Sequence, residues 1–527
     1  MTQNIVEIPI GYYGQFNQGR PLFNADIFVG VPDTDPEIPI NQKQITLLLE
    51  DGTEVPVSQP VNTGPGGYIS HNGSAATMFV EDNYSIKCLN SLGAQEYFFE
   101  NVFNKPPSSG TSASRYDTVS DMDAANPVVG DFIDTSGYTS VGDDGDNSYE
   151  IVAGGTGTDD GGSFIDLSNG NQAMALFPKG IHSINQWGAS NAGLVDGAAA
   201  IRAAIAYGVA NPPFVLVGAA GNYKCDTGLG DYFASDLVID WTGAIFDFSA
   251  IVGSYELLTF TGTSETPVAL TANAASAQKT VAVTSASFAV GDFVKIVSTT
   301  EFDPRTNSEY GELNFIETVP DGVSVTTTME LMTAYVTVDS ASIQKLNPVR
   351  NITVRGLTFQ GPLADDNSKG IIITNGINCL IDNIQSYDVD AIHIQFFDCT
   401  FCRVVDSPFQ ESNAPTTGYG VSFTDACQDC SAENNVFTDV RHSLSTNNGA
   451  DGGITRRILF QANIVTDSAQ TTAMTGGDAI DTHSGAEDIS IIDNIVNSSS
   501  GTGINVESRS ATIIGNSVSN TAGTGIG

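Results

Sequence analysis

Positive charge is scarce in this chain. Its 527 residues carry 20 Lys+Arg against 61 Asp+Glu, a formal net charge of −41 at pH 7, and charged residues of both signs make up only 15%. Charge this sparse and one-signed argues against nucleic acid and anionic membranes as partners, since both are bound through clustered Lys and Arg. Long apolar runs are missing as well. The longest, Phe214 to Ala220, falls far short of the ~20 residues a membrane helix needs, so no membrane insertion is expected. The opening MTQNIVEIPIGYYGQF has no basic start followed by an apolar stretch, and no secretory leader is visible in it. Seven cysteines, odd in number and thinly spread, argue against a disulfide framework and fit synthesis in a reducing cytoplasm.

What is present is a chain too long for one ordinary compact core, and therefore several domains or an elongated repeat. A hydrophobic content of 41% can bury a sizeable interior, which excludes a wholly disordered protein. The 54 glycines, with many Asn, Ser and Thr, fit short strands joined by turns. Residues 1–105 read as a small β domain. Its apolar stretches Ala25–Val29, Ile45–Leu49 and Ala76–Val80 are separated by turns at Asp51-Gly52, Gly66-Gly67 and Asn72-Gly73. Residues 106–115, rich in Pro, Ser and Gly, read as a flexible linker. Residues 116–185 read as a second small β unit. Its acidic turn Asp143-Asp144-Gly145-Asp146-Asn147 makes a poor calcium loop, because Gly145 breaks the ligand spacing and no Glu follows at the twelfth position. Asp196–Tyr207 is the one convincing helix, with Ala200, Ile201, Ala204 and Ile205 on one stripe.

From Gly370 the chain repeats. Aligning the apolar residue that follows a small one gives Ile371, Ile392, Val421, Leu444, Ile480, Ile504 and Ile526, in steps of 21, 29, 23, 36, 24 and 22 residues. A second column, Asn383, Ser407, Asn435, Asn463, Asn494 and Asn516, keeps phase with the first. Two columns in phase across loops of varying length mark a solenoid with one coil per repeat. Period-2 alternation within a coil, as in Ile504-Asn505-Val506-Glu507, makes the coils strands. The expected fold class is therefore all-β: a parallel β-helix over residues 186–527, interrupted by a strand-rich insertion at 263–345. The Asn column suits turns that need a residue tolerant of the left-handed region, with amides stacked from coil to coil at ~4.8 Å. Gly523-Thr-Gly-Ile526 repeats Gly501-Thr-Gly-Ile504, so a new coil begins as the sequence stops. An uncapped coil exposes strand edges, and the expectation is a longer natural product, or another chain or domain over this end, with no cap made by 517–527.

Three segments carry a resemblance to tailed-phage tailspikes. Ile27-Phe-Val-Gly-Val-Pro-Asp-Thr-Asp-Pro36, Val55-Pro-Val-Ser-Gln-Pro60 and Gly93-Ala-Gln-Glu-Tyr-Phe-Phe-Glu-Asn-Val102 together resemble the head-binding domain of podoviral tailspikes. Tyr138–Asn147 with Gly161–Leu167 resembles the neck that precedes many tailspike β-helices. Trp187-Gly-Ala-Ser-Asn191, then Asp196-Gly-Ala-Ala-Ala-Ile201 and Ala204-Ile205, resembles the opening motif of pectate-lyase-like right-handed β-helices, with Asp-Gly-Ala where Asp-Asp-Thr is usual. The resemblance implies a homotrimer in the virion tail. Residues 1–105 would attach to a head/tail connector or baseplate protein, and the helix would bind and cut a host surface polysaccharide. It favours an endo-acting glycoside hydrolase over a lyase. A non-enzymatic adhesin and a structural adaptor spike are the competing readings.

Several motifs have two readings. Cys399-Thr-Phe-Cys402 and Cys427-Gln-Asp-Cys430 have the spacing of a zinc ribbon, yet they occupy the same positions of successive coils and would also stack as buried inert thiols, the favoured reading. Paired glycines such as Gly154-Gly155 and Gly161-Gly162 open no helix after a strand, so no phosphate loop and no cofactor are expected. Arg456-Arg457 reads as a groove or solvent contact, and Phe396-Phe397 as one interior and one exterior residue.

For the active site, His393, Ser422, Ser445, Asp481 and Asn505 form the column just after the aligned apolar residue, and should point outward. Two residues on come Gln395, Thr424, Asn447, His483 and Glu507; at the preceding corner come Asp390, Tyr419, His442, Asp478 and Thr502. Arg441-His442 and Asp478-Ala-Ile-Asp-Thr-His483 thus fall on adjacent coils, and they resemble an Arg-His and Asp-Thr-His pairing of phage β-helix depolymerases. Glycoside cleavage needs one carboxyl as acid and another as base or nucleophile, roles that Asp478 and Asp481 could fill, with His442 or His483 relaying a proton. Arg441 would bind an anionic substituent, and Tyr419, Asp390 and His393 would contact substrate. A lyase could use His as base and Tyr419 as acid. If none of these acts, Glu411, Asp425 or a cleft between subunits is the alternative, and no metal is expected at the site.

Overall fold

The structure is a computed structural model that describes residues 4–5, 22–49, 53–64, 67–71, 74–80, 83–102, 114–177, 180–251, 253, 255–284, 287–305, 308–361, 368–412, 414, 417–447, 452–468 and 477–527. The turns at Asp51-Gly52 and Asn72-Gly73, Gly66, and nearly all of the linker lie outside these residues. The chain divides into two compact units, Met1–Ser114 and Arg115–Gly527.

The first unit is antiparallel β. Strands Asp26–Gly30, Tyr84–Leu89 and Gln95–Val102 form one sheet with Val61–Asn62, while Ile45–Leu49 pairs with Glu54–Val57 and Ser74–Val80 in another. Ile27, Val29, Ile45, Leu47, Met78 and Ile86 close their common core.

The second unit opens with a short helix, Val119–Ala124, that the sequence reading passes over. Thr118 caps it, its hydroxyl accepting the Asp121 N–H at 3.1 Å. Strands Phe132–Thr135, Asn147–Ala153, Phe164–Asp166 and Asn171–Ala175 complete a small antiparallel sheet. In its acidic turn the Asp143 carboxylate accepts N–H bonds from Tyr138, Thr139, Ser140 and Gly145, so the main chain saturates it. Helix Ala198–Ala210 then buries Ile201, Ala204 and Ile205 against the first coils.

From Ile181 onward ten coils each contribute one strand to two parallel sheets of ten strands, and all but the first and last add one to a third sheet of eight. Single-coil strands are short, three to six residues in most cases, so the core is a column of inward side chains: Ile394, Phe396, Val421, Phe423, Leu444, Ile480 and Ile504 from the third sheet alone. Residues 517–527 make no cap; Ser517–Thr521 extends the second sheet and Ile526 pairs with Ile504.

The Asn column splits into two neighbouring jobs. Asn435, Asn463, Asn494 and Asn516 stack as an interior ladder, amide to amide, at 3.0, 2.9 and 2.9 Å. The left-handed turn falls one residue earlier, on Asp406, Asn434, Ala462, Asp493 and Gly515. Asn383 therefore belongs with the turn residues, and Ile384 is the one in register with Ser407, whose hydroxyl accepts the Ile384 N–H.

The insertion forms its own antiparallel sheet, strands within 263–347, around Val281, Val294, Ile296, Val325 and Ile343. It is draped along one corner of the helix. Lys295 pairs with Asp398 at 2.8 Å, the Leu313 main chain exchanges two bonds with the Gln428 amide, and the Arg509 guanidinium lies 3.8 Å from the Phe302 ring. Arg456 corrects the solvent-contact expectation. It is wholly buried, its guanidinium joining Glu312 of the insertion at 3.2 Å to Glu487 of the next coil at 2.5 Å, while Arg457 pairs with Asp429. An arginine this desolvated is held only by paired carboxylates.

Of the four CxxC cysteines, Cys402 stacks under Cys430 and Cys399 under Cys427, with backbone N–H to sulfur distances of 3.4 Å in both pairs. All point inward, and Cys399 and Cys430 give their thiol protons to main-chain carbonyls. Burial raises the Cys399 and Cys430 pKa values, keeping them as thiols.

Candidate active site on the third sheet

The third sheet carries the predicted cluster. Its strands Ile392–Phe397, Tyr419–Thr424, His442–Asn447, Ile480–Thr482 and Ile504–Val506 pair in parallel, and Ser422, Ser445, Asp481 and Asn505 follow one another on the outward side, as the spacing predicts. Tyr419 and His442 are also partners on adjacent coils.

One coil upstream the expected register is wrong by two residues. Ile371 pairs with Ile394, not Ile392, so Gln395 stands where His393 was placed, Phe397 where Gln395 was, and Ile392, not Asp390, lies beside Tyr419. His393 is an interior residue, fully buried, bonded through Nδ1 to the Ser386 hydroxyl and 5.4 Å from the Phe409 ring. Burial pushes it down to about 3, so it is a neutral core imidazole and not a substrate contact. The reason is packing. At this inward corner the neighbouring coils have Gly370, Gly420 and Ser443 in line with His393, and Phe359, Phe409 and Phe437 in line with Ser386; Gly370 leaves room for Phe359 and Gly420 for Phe437, whereas here the sizes are exchanged, Ser386 facing His393. Ala391-Ile392 imitates the small-then-apolar pattern and hides the exchange. The signal that reveals it is the serine where the neighbouring coils have phenylalanine. Asp390 is half-buried on the corner, its carbonyl accepting from Ala414 N–H and Ser412 Oγ.

The remaining residues converge. Asp481 is 4% exposed, its Oδ2 3.1 Å from His483 Nε2 and 3.6 Å from His442 Nδ1, while Asn505 donates to Oδ1 at 3.1 Å. His442 Nδ1 gives its proton to the Asp478 carbonyl at 2.8 Å, which fixes its tautomer. Tyr419 stacks on His442, ring centres 5.3 Å apart at 22°, and meets His483 edge-on at 6.3 Å. The Asp478 carboxylate accepts the Thr502 N–H.

Burial sets the electrostatics. It raises the Asp481 carboxyl to about 6, helped by the nearby Asp478 charge and opposed by His483 and the Asn505 bond. Burial also lowers His442 to about 3, with the Arg441 charge adding to the effect, so this imidazole is neutral at pH 7. The Tyr419 phenol is raised by burial and held back by Arg441. His442, Asp481 and His483 are also the one group of His, Cys, Asp and Glu among the described residues whose ligand atoms close to within 4.8 Å. The His442 Nδ1 is committed as a donor to a carbonyl, so that nitrogen is free neither to relay a proton to Asp481 nor to bind a metal.

A second acidic pair lies at the corner before this sheet, where sequence reasoning singled out only Glu411. Asp388 and Glu411 occupy left-handed positions of successive coils, φ 56 and 60, followed by Asp439 and Asp467. Burial and the adjoining Glu411 raise Asp388 to about 6. The signal available was a carboxylate or amide at the same offset before each strand of the sheet. Asp425 is buried just past the end of its strand, after Thr424.

Residues 1–109 match the family described as head binding. Within this part the chain is similar to the tail spike protein of Shigella phage Sf6, 35% identical over 111 residues, which is 20% of this chain and 18% of that protein. It is also similar to putative tail fiber protein gp36 of Acyrthosiphon pisum secondary endosymbiont phage 1, 31% identical over 103 residues, 20% of this chain and 30% of that one. The chain thus spans less than a third of either curated relative. In fold it resembles the tailspike gp49 of Pseudomonas phage LKA1, with TM-score 0.53 and 18% identity over 64% of this chain and 59% of that one. The tailspike gp61 of Pseudomonas phage phi297 superposes at TM-score 0.51 with 17% identity, covering 65% and 59%. The fold is thus of the tailspike β-helix class, and the first domain is of the head-binding kind.

Proposed function

We propose that this chain is a phage tailspike of the virion tail, attached to a head/tail connector or baseplate protein through residues 1–105 and cleaving a host surface polysaccharide on the third sheet of its β-helix. The observation that carries the enzymatic part is Asp481: a carboxyl raised to about 6 by burial, on an outward face, bonded by Asn505 with the His483 and His442 rings beside it. A carboxylic acid protonated near neutrality protonates a glycosidic oxygen as the bond breaks. Asp478, three residues earlier in the same coil, serves as base or nucleophile, its carboxylate oriented by the Thr502 N–H. His442, neutral and fixed by the Asp478 carbonyl, adds no positive charge beside Asp481, so nothing from that ring lowers the acid's pKa. Glycoside hydrolysis is therefore favoured over elimination.

A homotrimer is supported by the outer face of the second sheet, where Val436, Ile464 and Ile495 stack on three successive coils and remain more than a third exposed. A ladder of apolar side chains on a parallel sheet suits a second copy of the same surface.

The test is depolymerisation of host lipopolysaccharide or capsule by the purified chain, with product sizing and reducing-end assay. Shorter fragments with new reducing ends and no unsaturation support the hydrolase. An ultraviolet-absorbing unsaturated end moves the chemistry to a lyase with Tyr419 as acid, and tight binding without fragmentation leaves an adhesin.

A further inference from the structure

Arg441 has no carboxylate partner among the described residues, as is also true of Arg115, Arg202, Arg350 and Arg509, and of these it is the one beside the candidate cluster. It sits at the turn between the second and third sheets, directly before His442, with its main chain bonded to Ser412 and Ser468. Its Nε and Nη1 are buried and have no hydrogen-bond partner among the described residues, and no carboxylate among them lies within ion-pair distance. By contrast, Arg305, Arg355, Arg403, Arg456 and Arg457 are each paired with Asp or Glu. The acids nearest in sequence do not serve it: Asp439 is raised by burial and by Asp467 and Glu411, with no relief from Arg441. A desolvated guanidinium edge without a counter-charge costs several kcal/mol and is retained where an external anion completes it. The groups it does act on are Tyr419 and His442, which line the active cluster.

We infer that Arg441 is the receptor for a carboxylate on the glycan, and hence that the substrate is an acidic heteropolysaccharide carrying a hexuronic acid or similar sugar acid. This rests on the third-sheet site proposed above. Guanidinium and carboxylate match in a planar two-bond geometry, and the free Nε and Nη1 are two such donors. The density of charge on the glycan is limited by the rest of the protein. A net charge of −41 repels a continuous polyanion, so the sugar acids are spaced, about one in each repeat unit, with neutral sugars between.

The experiment uses the full chain in two arms. In ligand-observed NMR, D-glucuronate and D-galacturonate are compared with D-glucose and inorganic phosphate, on wild type, Arg441→Gln and Arg441→Lys, each checked by circular dichroism melting. Uronate binding is expected in wild type, about 10- to 100-fold weaker in Arg441→Gln and partly kept in Arg441→Lys. Equal binding of glucose and uronate, binding of phosphate alone, or unchanged uronate binding in Arg441→Gln overturns the inference. In the second arm, an acidic capsular polysaccharide is digested native and after chemical reduction of its carboxyls to alcohols. Loss of cleavage on reduction, with KM raised in Arg441→Gln, supports the assignment, and equal cleavage of both forms overturns it. Asp481→Asn separates the two ideas. If it abolishes cleavage but binds uronate as wild type does, both stand; if it cleaves normally, the catalytic assignment fails while the uronate arm still judges Arg441.

Discussion

Two stacks of polar side chains run along the same helix, and they differ in one respect. The interior ladder of Asn435, Asn463, Asn494 and Asn516 gives each amide a partner above and a carbonyl behind, so burial costs it nothing. The outward stack of Ser422, Ser445, Asp481 and Asn505 is nearly as buried, yet the Asp481 carboxyl is bonded by one neutral amide, with the His483 and His442 rings 3.1 and 3.6 Å away, and no cation bonds it directly in the manner of Arg456 and its carboxylates. The solenoid offers the same ~4.8 Å spacing to both. What separates a structural ladder from a reactive one is whether the protein satisfies the groups it desolvates.

The sharpest way to break this comparison is Asp481→Asn. Removing the acid is expected to lower the depolymerisation rate by about 10²- to 10⁴-fold. The same change should stabilise the fold at pH 8 and not at pH 4. The folded carboxyl is raised from 3.8 to about 6, so the penalty for ionising it is complete above pH 6 and absent below the unfolded value. Thermal melting of both proteins at the two pH values checks this, and a variant less stable at pH 8 would place Asp481 with the structural ladder.

Asn463→Ala makes the converse cut. It deprives the Asn435 N–H and amide of their acceptor and is expected to cost about 2–4 kcal/mol of stability in urea unfolding, with the rate per folded molecule unchanged. A third measurement is the pH–rate profile. With Asp481 protonated only below about 6, the rate should fall about tenfold per pH unit on the alkaline side, and Asp481→Asn should abolish that limb. The smallest effect is reserved for the cysteine stack. Cys402→Ala should cost about 1 kcal/mol and leave the melting temperature insensitive to chelators, whereas a metal ribbon would unfold on metal removal.

Much of this was legible before any coordinates. The columns from Val421 to Ile526 are real register positions because each coil buries an apolar residue at the same place, whatever the loop length. The same rule put His442, Asp481 and His483 on neighbouring coils. It failed at His393, where packing volume was conserved across two strands of one coil and not along the column. It failed again at Arg456, because the partner that neutralises it, Glu312, lies 144 residues away in the insertion.

The sequence by itself determined the parallel helix, the insertion, the β first domain and the coils that carry the candidate cluster, since periodicity and turn residues act locally and repeat. Only the tertiary structure decided which carboxyl is raised towards neutrality and which arginines lack a carboxylate partner. Those properties depend on how much water each group loses and on which charges from distant segments replace it, and neither quantity has a signature in spacing.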